Sequence, residues 1–297
     1  MVVSPEARRF APPLALLMAL RPKQWVKNVL VAAAPLAAGR INEAAVLAAT
    51  VAAIACFCAA SSAVYIVNDV RDIEADRLHP VKRHRPIAAG AVPIPLALVT
   101  AAVLAVIALA GAALVDVAFA GLLVGYLALQ ASYSFGLKHQ AVLDIAVVAS
   151  GFLLRAVAGG LATGIPISEW FLIVASFGSL FMVSGKRYSE LLLVGRSTGT
   201  RRSLEGYTDT YLRFVWTTSA SVTIGAYSLW AFSLPPSDGT QWEAISIVPF
   251  VLGLLRYAVD VDVGKAGEPE DIVMSDRVLQ ILGLIWVVLV AIGVFSG

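Results

Sequence analysis

Nine apolar runs of about twenty residues each, parted by short polar stretches, constrain this chain more than any other feature. A run of that length crosses the hydrocarbon core of a bilayer only as a helix, because every backbone N–H and C=O must find its partner inside the segment. A water-soluble fold is the alternative. With 59% hydrophobic residues, 14% charged residues and 297 positions, the chain has too little polar surface to cover such a core. The mean hydropathy of +0.82 agrees. The chain therefore reads as an all-α polytopic membrane protein, a single integral membrane domain over 1–297 with expected spans at 25–39, 45–67, 92–114, 117–136, 141–163, 170–194, 212–233, 243–261 and 276–296.

Lys and Arg set the orientation. With the N-terminus inside, Arg40 is the only one of the 22 in an outer loop and Arg155 the only one deep in a span; the other 20 face the cytoplasm. Nine spans then leave the C-terminus outside. Residues 1–24 form an inner N-terminal segment whose run at 10–20 follows Arg8 and Arg9 and reads as an uncleaved interfacial helix. Cys56 and Cys58 lie two apart on one span and point to different faces, so no disulfide is expected. No nucleic-acid partner is expected either.

The second run leads directly into NDVRDIEAD at 68–76. If its helix continues, Asn68, Asp72 and Asp76 fall four residues apart with Asp69 beside them, so one face presents four oxygen-bearing side chains. Such a set suits a hard divalent cation, and carboxylates at the mouth of a membrane helix are expensive unless they bind something. The basic loop that follows, with Lys82, Arg83 and Arg85, reads alone as a topogenic signal. Next to four acids it reads as the far grip on a metal-bound polyphosphate.

Other charges group with it. RPKQWVKN at 21–28 places Lys23 and Lys27 on one helix face beside Trp25, which is either a headgroup-level anchor or a phosphate contact. Tyr133, Lys138 and His139 mark the inner edge of the fourth span. Asp144 lies one turn into the fifth, whose middle carries Arg155; a mid-span arginine is a functional candidate, and a structural pair with Asp144 or another acid is the alternative. Lys186 and Glu190 share a face one turn apart at the end of the sixth span, beside Arg187 and Tyr188, and could form an ordinary surface ion pair. The segment SLEGYTDTYLR after it could cover the site. Gly121 and Gly125 permit close helix approach, while Gly160 and Gly164 serve either the core or a subunit contact, which leaves a homo-oligomer open. Asp260, Asp262, Glu268, Glu270, Asp271 and Asp276 make the last inner loop acidic, without the spacing of an EF-hand; packing over the basic entrance is expected.

NDxxDxxxD at the close of the second of nine helices, with Tyr133 and Lys138 as a YxxxxK-like element between the fourth and fifth, resembles the UbiA superfamily of intramembrane prenyltransferases. The resemblance covers essentially the whole chain and implies a nine-helix bundle around a central cavity open to the cytoplasmic face, with active-site loops at 68–91 and 186–213. One departure stands out. Members that transfer prenyl groups carry a second DxxxD on the sixth helix, where this chain has Lys186 and Glu190. A fixed cation there disfavours a second metal and offers a direct phosphate contact.

Taken with RPKQWVKN, GLKHQAV, SLFMVSGKRYSEL and RYAVD…GEPED, the pattern resembles the branch of the superfamily that joins phosphoribose, from phosphoribosyl diphosphate, to a polyprenyl phosphate such as decaprenyl phosphate. The resemblance implies a Mg²⁺-dependent enzyme of a bacterial plasma membrane that works towards a lipid-linked arabinose donor for the cell wall. Asn68, Asp72 and Asp76 are expected to hold the metal, and Asp69 to orient a ligand. Tyr65, Lys82, Arg83, Lys138, Arg155, Lys186, Arg187, Tyr188 and Glu190 are expected around phosphoribosyl diphosphate, and Lys23, Lys27, Lys82 and Lys138 around the lipid phosphate. Two rivals remain: prenyl transfer to a small acceptor, which Lys186 opposes, and a cation-coupled transporter or lipid flippase, whose charges should lie nearer the midplane.

Overall fold

A computed structural model describes residues 12–194, 206–236, 239–267 and 269–295. Their regular elements are all helices, with no β-strand among the described residues. After the short α1 (Pro12–Ala19), the expected first span is not one α-helix: residues Pro22–Ala32 wind as a 3-10 helix that passes into α2 (Ala33–Ala37). Its start explains the difference, since Arg21 sits in the left-handed region at φ 54° immediately before Pro22. At the rises of the two helix types the pieces together reach about 30 Å.

The other helices follow the apolar runs. They are α3 (Ala44–Arg71), the one-turn α4 (Ile73–Leu78), α5 (Ile94–Val115), α6 (Val117–Phe135), α7 (Leu143–Thr163), α8 (Glu169–Val194), α9 (Asp209–Ser233), α10 (Trp242–Asp262), the short α11 (Pro269–Ser275) and α12 (Arg277–Phe295). Sequence punctuation marks their ends: Asp116 accepts the Phe119 N–H at 2.8 Å to start α6, Thr208 accepts the Tyr211 N–H at 3.1 Å to start α9, and Gly164 at φ 67° ends α7. Among the described residues six helices, α3, α5, α6, α7, α10 and α12, are long and apolar enough to cross a membrane. The chain is thus a multi-pass membrane protein.

Neighbours in sequence pack as neighbours in space, α3 on α5, α5 on α6, α6 on α7, α7 on α8, α8 on α9 and α10 on α12. The 3-10 segment lies against both α3 and α7. A Cβ on Gly159 would stand 1.8 Å from the Val31 carbonyl oxygen, so only glycine lets α7 approach that segment so closely. Gly160 is buried against Ile165 and Ile167, and Gly164 ends α7. Gly121 and Gly125 meet nothing within 4 Å among the described residues. Core side chains fall into three clusters, around Phe57, Phe119, Leu123 and Tyr126, around Phe181, Tyr188, Leu212, Tyr257 and Val261, and around Ala63, Ile66, Ile87 and Val92.

Candidate active site

The acidic motif is bent. Helix α3 stops at Arg71, Asp72 takes φ −90° and ψ 11°, and α4 restarts at Ile73. Asp72 still donates its N–H to Asn68 O at 2.9 Å and accepts that of Asp76 at 2.8 Å, so the four-residue rhythm survives the hinge although the single continuous helix does not. Asp69 and Asp76 are buried, whereas the Asp72 side chain is 39% exposed.

Each carboxylate is held by a cation of the chain. Arg85 donates from Nη1 to Asp76 Oδ2 at 2.6 Å and to Asp69 Oδ1 at 3.1 Å, bridging the two buried acids. Arg21 also donates to Asp69, and its guanidinium lies over the Tyr65 ring at 5.0 Å. Lys138 reaches across from the turn after α6 to both oxygens of Asp72, at 2.8 and 3.2 Å. Asn68 accepts a hydrogen bond from Ser134. Among the described residues no three Asp, Glu, His or Cys side chains converge as a metal site. The donor set of three carboxylates and an amide oxygen nevertheless has the chemistry of a hard-cation site, and the half-exposed Asp72 is paired with a flexible Lys. A divalent ion would have to displace Lys138 and Arg85 from these carboxylates.

Beside this cluster lies a second one. Asp144, fully buried in the first turn of α7, accepts two bonds from Arg187 of α8, at 2.7 and 3.0 Å, and a third from the Tyr133 hydroxyl at 2.8 Å. Arg187 also donates to Glu190 at 2.7 Å. A buried pair of this kind, stripped of one partner, costs about 3–5 kcal/mol. The structural alternative of a pair between Asp144 and Arg155 is not formed: Arg187 takes the acid. Arg155 is 5% exposed and bonds Asn28 Oδ1 at 2.8 Å, Gly151 O at 2.6 Å and the Tyr126 hydroxyl at 3.0 Å. All three partners are neutral, and none belongs to the carboxylate cluster. Aromatic faces of Phe57 and Tyr126 add to its support.

The remaining expected residues divide in the same way. Tyr65 and Lys138 join the carboxylates, and Arg187 and Glu190 join Asp144. Tyr188 is buried and accepts from Arg213 at 2.6 Å. Lys27, Lys82 and Lys186 are half-buried, while Lys23 and Arg83 are exposed. Of the segment at 186–213, residues 195–205 lie outside the described part, as does Glu268 of the acidic loop. In that loop Asp276 pairs with Arg256 at 2.6 Å and Asp262 with Arg213 at 3.1 Å.

Sequence reasoning did not single out Arg21, Ser134 or Tyr207, and it placed Arg85 in the basic loop without assigning it the carboxylates. Arg85 stands in a run of basic residues where nothing marks it from Arg83, and Ser134 carries no charge to notice. Tyr207, 4% exposed, accepts the Val142 N–H at 2.6 Å, and burial pushes its phenol above the ordinary tyrosine range.

Residues 28–274 match the UbiA prenyltransferase family. The decaprenyl-phosphate phosphoribosyltransferase of Mycobacterium tuberculosis is 57% identical over 284 residues, covering 94% of each chain. That of Corynebacterium glutamicum is 51% identical over 288 residues, 94% of this chain and 86% of the relative. Among solved structures, a UbiA homologue from Archaeoglobus fulgidus bound to GPP and Mg²⁺ shares the fold, with a TM-score of 0.72 at 18% identity over 95% of this chain and all of that one. The apo UbiA homologue of Aeropyrum pernix K1 superposes with a TM-score of 0.63 at 18% identity, over 90% of this chain and 98% of its own.

Proposed function

Because this chain belongs to the UbiA prenyltransferase family, we propose that it uses the family fold to transfer 5-phosphoribose from phosphoribosyl diphosphate to a polyprenyl phosphate, decaprenyl phosphate in particular, releasing diphosphate. The observation that carries this reading is the 51–57% identity, over 92% or more of the chain, to relatives named for that transfer. In this reading nine segments cross the membrane, the 3-10 helix and α2 together making the first. The N-terminus and the carboxylate cluster lie on the cytoplasmic side of a bacterial plasma membrane, at the mouth of a central cavity.

The chemistry asks little of proton transfer. The lipid phosphate is already ionised at neutral pH; one of its oxygens bonds to the anomeric carbon of the ribose as the bond from that carbon to the diphosphate breaks, and in-line attack inverts the centre. What the protein must do is bring two anions together and stabilise the departing charge. Asn68, Asp72 and Asp76 would hold Mg²⁺, with Asp69 orienting the set; the bound ion supplies charge neutralisation of the leaving diphosphate. Lys82, Arg83, Lys138 and Lys186 neutralise the phosphate oxygens that the ion leaves. Arg21 and Arg85, freed from the acids, add to them. Lys23 and Lys27, at headgroup level, bind the lipid phosphate as it enters from the bilayer. Arg155 pins the 3-10 segment that carries those lysines to α7 instead of touching the donor.

Prenyl transfer to a small acceptor is the rival reading, and Lys186 in place of an acid opposes it. Transport or lipid flipping is disfavoured because the acids and bases of the carboxylate cluster gather at one end of α3. One assay separates the three. Membranes carrying the protein are incubated with labelled phosphoribosyl diphosphate, polyprenyl phosphate and Mg²⁺; label moves into the lipid phase and stops moving when the metal is chelated. Absence of a metal-dependent labelled lipid overturns the reading.

A further inference from the structure

Val142 is one of two described non-glycine residues with positive φ, the other being Arg21. Val142 precedes α7 with φ 70° and ψ −52°, a region that β-branched side chains avoid and that corresponds to the rare form of γ-turn. Its own side chain gives no reason for the strain, being 53% exposed. Backbone strain of this kind persists only where surrounding contacts impose it. Here the contact is specific: the Val142 N–H donates to the hydroxyl of Tyr207, at 2.6 Å, and Tyr207 is buried and stacked on Tyr211 with ring centroids 5.8 Å apart at 15°. On the C-terminal side, Val142 O already accepts the Ala146 N–H of α7 at 2.9 Å, and Gln140 O accepts that of Asp144.

The strained residue closes a short turn. Only residues 136–142 join α6 to α7, and Lys138, which holds Asp72, lies four positions before Val142. The helix ends on both sides are tied together by the Tyr133 hydroxyl on Asp144. With both ends fixed, the path of the turn, and so the position of the Lys138 ammonium, depends on the conformation Val142 is made to adopt.

We propose that Tyr207 is a positioning residue for the donor site: by holding the Val142 N–H it keeps the turn in its strained form and presents Lys138 to Asp72 and to the diphosphate. The inference rests on the reading of the carboxylate cluster as a diphosphate site. It assigns to the residue ahead of α9 a role that Tyr207→Phe, which removes one oxygen and keeps the ring, can isolate.

The test is a double-mutant cycle on the purified full-length protein, with Tyr207→Phe made in the wild-type and Val142→Gly backgrounds. Two quantities are measured: KM for phosphoribosyl diphosphate against kcat, and Kd for inorganic diphosphate with Mg²⁺. In the wild-type background Tyr207→Phe raises KM and Kd roughly three- to tenfold, the worth of one hydrogen bond, and leaves kcat within about twofold. In the Val142→Gly background the same change costs less than about twofold, because glycine takes positive φ without needing to be held. Equal losses in both backgrounds, or unchanged KM and Kd in Tyr207→Phe, overturn the inference. Should Tyr207→Phe alone fail to fold, a folded double variant with wild-type affinity supports the latch and a misfolded one overturns it. A wild type that binds magnesium diphosphate but labels no lipid overturns the substrate reading, while the Kd ratios still decide the role of Tyr207.

Discussion

Arg85 Nη1 lies 2.6 Å from Asp76 Oδ2, so a carboxylate expected to face a metal is bonded instead to an arginine nine residues further along the chain. The same nitrogen reaches Asp69 at 3.1 Å, and Lys138 does for Asp72 what Arg85 does for the buried pair. Carboxylates at the edge of a bilayer are costly when alone, and these cations lower that cost. In the proposed reaction they would turn to the diphosphate.

Arg85→Gln should therefore move two affinities in opposite directions. With its competitor gone, the carboxylate cluster of the donor-free protein binds Mn²⁺ roughly tenfold tighter, the scale of a lost charge-assisted hydrogen bond, while KM for phosphoribosyl diphosphate rises by a similar factor. Titration of Mn²⁺ by electron paramagnetic resonance reads the first and steady-state kinetics the second. A fall in both affinities would show that Arg85 only supports the fold.

Asp72→Ala is expected to abolish transfer and leave the protein folded. The Asp72 side chain is 39% exposed and its partner Lys138 reaches solvent, so no buried charge is orphaned. A loss in kcat/KM of at least about a hundredfold, matched by removing divalent metal from the wild type with a chelator, would be seen in the lipid-labelling assay. Near-normal turnover in folded Asp72→Ala would defeat the metal assignment.

Lys186→Asp recreates the acidic spacing that superfamily prenyltransferases carry on the sixth helix. Exchanging a cation for an anion beside the donor should raise KM for phosphoribosyl diphosphate by about tenfold or more. Unchanged affinity would remove Lys186 from the site.

Gly159→Ala tests the seat of the N-terminal segment. The added Cβ meets the Val31 carbonyl at 1.8 Å, a backbone atom that moves only with the 3-10 helix. Overpacking of this kind costs about 1–3 kcal/mol, to be read as a lowered unfolding midpoint in detergent. Gly121→Ala, with nothing within 4 Å of the added Cβ among the described residues, is the control and should hold or raise the midpoint, since alanine favours a helix over glycine.

Apolar run length, the bias of Lys and Arg and the acidic motif at 68–76 were determined by the sequence alone. Each is a local pattern: a helix repeats every three to four residues, and twenty apolar residues need a bilayer wherever they occur. Partner choice is a different matter. Arg21 meets Asp69 across 48 positions, Lys138 meets Asp72 across 66, Arg187 meets Asp144 across 43 and Arg155 meets Asn28 across 127. The sequence left open whether the mid-span arginine pairs with an acid; packing decided it, because α8 brings the Arg187 guanidinium to both oxygens of Asp144 while the Asn28 amide and the Tyr126 hydroxyl satisfy Arg155. The hinge at Asp72 and the held strain at Val142 likewise belong to tertiary structure, since each conformation is sustained by contacts from other parts of the chain and by no preference of the residues that adopt it.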